Sequence, residues 1–206
     1  MDPLKHIAAF QLDVLKEVGN IGAGHAATAL SKMLNKPVDM HIPKVNVLHF
    51  EEITDSLNGA EEVVIAIFMR VEGEAPGNMF FILSQLSAKK LVGQMAGIQS
   101  EMDEMFSEME LSALQEIGNI LVGSYLSSLA DFTQLHLYPT VPSLAIDMAG
   151  AILSYGLIQF GEMGEHALLI DTKFLEDKQE VEGHFFFIPD PESFRQIFAS
   201  LGVPLE

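Results

Sequence analysis

The sequence predicts a mixed α/β (α+β) chain: a duplicated, pseudo-two-fold unit in which two long helices, each bearing a polar site, pack on a β-sheet. Three observations predict it. A short cassette occurs twice, 99 residues apart: Asp13, Glu17, Gly19, Asn20, Gly24 and Pro43 match Ser112, Glu116, Gly118, Asn119, Gly123 and Pro142. Each cassette lies in a helix-periodic segment that is followed by apolar runs of strand length. The tail from Gly77 to Ile82 returns as Gly183 to Ile188 at an offset of 106, which puts about seven extra residues in the second half, around Gly161 to Val181. The repeats cover about 1–100 and 101–206, joined into a single domain with no linker between them.

A helix is expected from about Ala9 to Leu34, stopped by Lys36-Pro37. Val38 to Phe50 reads as a strand. Val63 to Val71 and Met79 to Leu83 are continuous apolar runs, the pattern of strands covered on both faces. A short helix from about Ser87 to Met95 closes the half, and an acidic, Met-rich stretch (100–110) leads to the second. There a helix is expected from about Glu110 to Phe132, strands near 139–148, 150–160, 166–174 and 184–188, and a helix from about Glu192 to Ala199. The apolar run from Val141 to Phe160 contains Asp147, two glycines and Pro142, so it reads as two buried strands joined by a turn rather than a membrane span.

Composition narrows the function classes. Of 206 residues 49 % are apolar, enough for a core, and a net charge of −18 argues against a nucleic-acid binder, which needs a Lys/Arg surface. The chain has no cysteine, which removes thiol chemistry. The start lacks a basic segment followed by a long apolar one, so a cytoplasmic protein is expected.

The cassette is expected to face outward. At about 100° per residue, Asp13, Glu17, Asn20 and Gly24 share one narrow stripe, while Leu15, Val18, Gly22, Ala26, Ala29 and Met33 lie opposite. Beyond the Asn, Gly24, Ala27 and Ser31, with Gly123, Leu126 and Ala130 in the second copy, are expected to form a low surface for a partner's backbone. Gly19 and Gly118 sit toward the packed side and are expected to permit close contacts there. A Glu and an Asn on one exposed helix are ordinarily just solvated. Repetition at fixed spacing, with a proline 23 residues after each Asn, argues for a shared task. The Gly22-to-Ala27 stretch resembles a dinucleotide fingerprint, but no strand precedes it and Leu121 replaces Gly22 in the second copy. The seven histidines are scattered and unduplicated, which disfavours a metal site, and no Ser-His-Asp order recurs.

Asn is neutral and carries both a donor and an acceptor at its tip. Beside a phosphoryl group its carbonyl can hold an attacking water, where a carboxylate would be repelled. Phosphoryl transfer rests on such positioning. Glu, one turn earlier, can grip a cation on the partner. The pattern Asp/Ser-x3-Glu-x2-Asn-x22-Pro resembles the CheC/CheX/FliY family of chemotaxis phosphatases, over the whole chain and including the duplication. The resemblance implies a CheC-like fold and two sites that act on the aspartyl phosphate of the response regulator CheY. It places Glu17 and Asn20 in one site and Glu116 and Asn119 in the other. Asp13 and Ser112 open the motifs, Gly24 and Gly123 support them, and Pro43 and Pro142 close them in a structural role. No cofactor is expected on this chain, with Mg²⁺ expected on CheY. The deamidase CheD is a second implied partner. Asp147, with Leu48 at the equivalent position, reads either as a solvated edge residue or as part of an asymmetric CheD surface. A non-catalytic adaptor that sequesters phosphorylated CheY, or a flagellar switch component, is the rival reading.

Overall fold

The computed structural model describes residues 9–96, 105–160, 166–176 and 179–202. The first half runs α1 (Ala9–Leu34), β1 (Asp39–His41), β2 (Val45–His49), α2 (Phe50–Ser56), β3 (Val63–Gly73), β4 (Gly77–Ser84) and α3 (Gln85–Ala96). The second repeats it as α4 (Glu108–Thr133), β5 (Leu137–Pro139), β6 (Ser143–Met148), α5 (Ala149–Phe160), β7 (His166–Glu176), β8 (Gln179–Pro189) and α6 (Pro191–Ser200).

The eight strands among the described residues form one antiparallel sheet of order β1-β7-β8-β4-β3-β5, with β2 also on β7 and β6 also on β3. Each half thus hands the strands that follow its long helix to the other half. The register of these exchanged strands is symmetric. Val45 pairs with Ile170, and their equivalents Leu144 and Ile67 pair with each other. In the central β4–β8 pair the equivalent residues Phe80 and Phe186 lie opposite one another, which places the pseudo-two-fold axis there. Of the seven added residues, four therefore fall before β7 and three between it and the Gly183 tail.

Alternation of side chains sends Ile65, Ile67, Met69, Phe81, Leu83, Ile170 and Phe185 to one face, against α1, α3, α4 and α6. Val64, Ala66, Phe80, Ile82, Leu169 and Phe186 point to the other, against α2 and α5. Burial of β3 and β4 on both faces agrees with their continuous apolar runs. Helices α1 and α4 cross where Gly22 meets Tyr125: a Cβ on Gly22 would lie 3.0 Å from the Tyr125 Cα.

Three expectations are corrected. The strand expected over Val38 to Phe50 is two short strands broken around Pro43, which has no N–H to give a ladder. Its last residue instead begins α2, which the sequence reading lacked. The strand expected at 150–160 is α5. Ala149, Ile152 and Leu153 are buried at helical spacing, and the helix starts where the Ala149 and Gly150 N–H groups donate to Glu62 and Ala60. The run from Val141 to Phe160 is therefore not two buried strands, since β6 is largely exposed and α5 follows it.

Candidate functional site

The outward stripe forms as the periodicity requires. Asp13, Glu17 and Gly24 are exposed on α1 and Asn20 is half-buried; Ser112, Glu116 and Asn119 are exposed on α4 and Gly123 is half-buried. Open space surrounds Gly24 and Gly123, where an added Cβ would touch nothing within 4 Å. Gly19 and Gly118 do face the packed side. A Cβ on Gly19 would meet Ile42 Cδ1, from the loop between β1 and β2, at 2.7 Å, and one on Gly118 would meet Ile67 Cγ2 of β3 at 2.8 Å, so packed side chains come close beneath each Glu-Asn turn. The low surface expected downstream is corrected: Ala27 and Leu126 are buried.

The closing prolines return to their cassettes. In the first half the Ile42 N–H, just before Pro43, donates to Asn20 Oδ1 at 3.3 Å. In the second, Gln115 Nε2 donates to the Pro142 carbonyl at 2.8 Å. The long gap between Asn and Pro is the path out along the helix and back through the first short strand. Asn119 has no such backbone tie among the described residues, and Val141, which corresponds to Ile42, is 83 % exposed against 3 % for Ile42.

The N-terminal end of α4 is anchored by a motif absent from the sequence reading. Ser107 caps the helix and Glu110 answers it in a capping box. The other Glu110 oxygen receives Lys89 Nζ from α3 at 3.0 Å, both side chains buried, with Lys89 over the Phe106 ring. A Ser-x-x-Glu spacing ahead of an apolar run was the signal that could have found it. The residue equivalent to Glu110 is Gln11, also buried but uncharged.

Asp147 joins neither cassette. It is exposed on edge strand β6, where its Oδ1 accepts from the Met148 N–H at 2.8 Å. Among the described residues no group of three His, Cys, Asp or Glu side chains could hold a metal ion, and no helix is long and apolar enough to cross a membrane. Between the helices and the sheet, Tyr125 donates to or accepts from Thr172 at 3.2 Å, and burial pushes its hydroxyl up to about 12.

The arrangement can present a carboxylate and a carboxamide, one turn apart, to a protein surface from each of two helices. The profile of the CheC-like family matches residues 10–47 and 109–146, the two segments that carry the cassettes. The chain is 44 % identical over 199 residues to the CheY-P phosphatase CheC of Bacillus subtilis (strain 168), covering 95 % of each. It is 31 % identical over 125 residues to the flagellar motor switch phosphatase FliY of the same organism, covering 60 % of this chain and 32 % of that one. The crystal structure of Thermotoga maritima FliY superposes with a TM-score of 0.73 at 19 % identity, over 95 % of this chain and 98 % of that one, a likeness of fold.

Proposed function

Because this chain belongs to the CheC-like family, we propose that it is a chemotaxis phosphatase that hydrolyses the aspartyl phosphate of a CheY-type response regulator. The observation that carries this is the pair of outward stripes, in which Glu17 with the half-buried Asn20, and again the exposed Glu116 with Asn119, lie one turn apart on equivalent helices. Each helix docks beside the partner's phosphoryl group. The Asn carboxamide accepts a hydrogen bond from the attacking water and holds it in line, while its NH2 group faces the phosphoryl oxygens without repulsion. Glu pairs with a cation on the partner, a lysine by its reach, and so fixes the docking geometry. This chain forms no covalent bond to phosphorus; the partner brings Mg²⁺ to neutralise charge. Both sites belong to one unit, since the exchanged strands tie the halves into a single sheet.

The same reading makes the protein cytoplasmic and makes CheD a second partner. Asp147 stands exposed on the edge strand β6, where such a partner can reach it. Phosphate release from phosphorylated CheY, with and without the chain, tests the proposal. Acceleration that scales with the chain's concentration supports it. Tight retention of phosphorylated CheY with no acceleration would mean an adaptor instead.

A further inference from the structure

The cassette stripe does not begin at Asp13 and Ser112. One turn earlier stand Phe10 on α1 and Met109 on α4, which are equivalent under the 99-residue offset. They are 63 % and 69 % exposed. At about 100° per residue each falls close to the angle of the Glu that follows seven residues later. A large apolar side chain held in water at one end of a polar site is ordinary once; its recurrence at the same place beside both sites is not. Neither residue serves the core, because each helix buries its other face against the sheet through Leu15 and Val18 or through Leu114 and Ile117.

We infer that Phe10 and Met109 are apolar docking contacts for the phosphorylated response regulator, seated on an uncharged patch next to its phosphoryl pocket. The inference rests on the phosphatase reading and extends that site by one helical turn. The occupant follows from continuity. A partner that reaches Asn20 and Glu17 must lie along the stripe on which Phe10 is the next projecting group, and the same holds for Met109 on α4. In a chain of net charge −18, Glu supplies orientation through charge. The apolar residue supplies contact area that does not weaken with salt. Phe and Met differ in shape but both fill irregular apolar surfaces, so one partner patch can accept either.

Steady-state hydrolysis of phosphorylated CheY by the full chain and by the Phe10→Ala/Met109→Ala variant tests this. The expected result is a KM raised about tenfold or more, with kcat lowered no more than about twofold, because the water-holding Asn is untouched. The Phe10→Leu/Met109→Leu variant should restore KM to within about threefold of the parent, since the contact is apolar rather than aromatic. An unchanged KM in the alanine variant overturns the inference. So does a changed sedimentation coefficient with KM unmoved, which would assign the two residues to contact between copies. A parent chain with no hydrolytic activity would instead defeat the phosphatase reading, an outcome visible before any variant is made.

Discussion

The two cassettes carry the same Glu and Asn and are supported differently from within. In the first, Asn20 is half-buried and its carbonyl takes the Ile42 N–H, with Ile42 packed down over Gly19. In the second, Asn119 stands exposed and Val141 projects into solvent. The start of α4 is pinned by a buried Lys89–Glu110 pair, while α1 has Gln11 at that place. The letters shared by the two copies thus include the outward Glu and Asn as well as the packed glycines and the closing prolines, while the contacts around them differ.

The largest expected effect breaks the scaffold of the second copy. Lys89→Ala leaves the Glu110 carboxylate buried without its cation, which costs about 3–5 kcal/mol. Gln11→Ala, at the place on the first helix that Glu110 holds on the second, should cost about 1–2 kcal/mol, because only a neutral polar group is lost. Urea unfolding of both variants measures the difference, and equal losses would show that the two helix starts are held alike.

Next comes the crossing that joins the copies. The raised Tyr125 hydroxyl has a definite sign. Below about pH 10 the tyrosine is neutral in both folded and unfolded chains, so nothing is lost there. Between about 10 and about 12 only the unfolded chain ionises, and stability falls by about 2–3 kcal/mol. Tyr125→Phe should remove that part of the alkaline decline and cost about 1 kcal/mol at neutral pH through the lost Thr172 bond. Thermal melts from pH 8 to 12 on parent and variant test it; parallel curves would contradict it.

The smallest effect sharpens the comparison itself. Asn20 must share or release its backbone bond before its carbonyl is fully available to water, at a cost of about 1 kcal/mol. Asn119 pays no such cost. Asn119→Ala should therefore remove more of the total activity than Asn20→Ala, by a factor of about five. Phosphate-release rates of the two single variants decide, and a larger loss from Asn20→Ala would mean that the backbone tie pre-organises rather than hinders.

Much of this was legible in the sequence because the signals were local and doubled. Both long helices, the outward stripe and the close approaches at Gly19 and Gly118 follow from periodicity and repeat. What was misread depended on partners distant in the chain. An apolar run such as Ala149 to Phe160 suits a buried strand or a sheet-covering helix equally well, and the backbone bonds to Glu62 and Ala60 decide. Ala27 and Leu126 fall on the outward side by periodicity alone, yet both are buried by packing that a single helix does not reveal. Phe10 and Met109 carry no such signal, because aromatic and Met residues are usually core; only their exposure marks them.

The central claim is that two outward Asn residues perform the hydrolysis, and the double variant Asn20→Ala/Asn119→Ala tests it most directly. Phosphate release from phosphorylated CheY should fall by about 100-fold or more, while the melting temperature stays within about 2 °C of the parent. A double variant that still hydrolyses CheY phosphate at the parental rate would contradict the account.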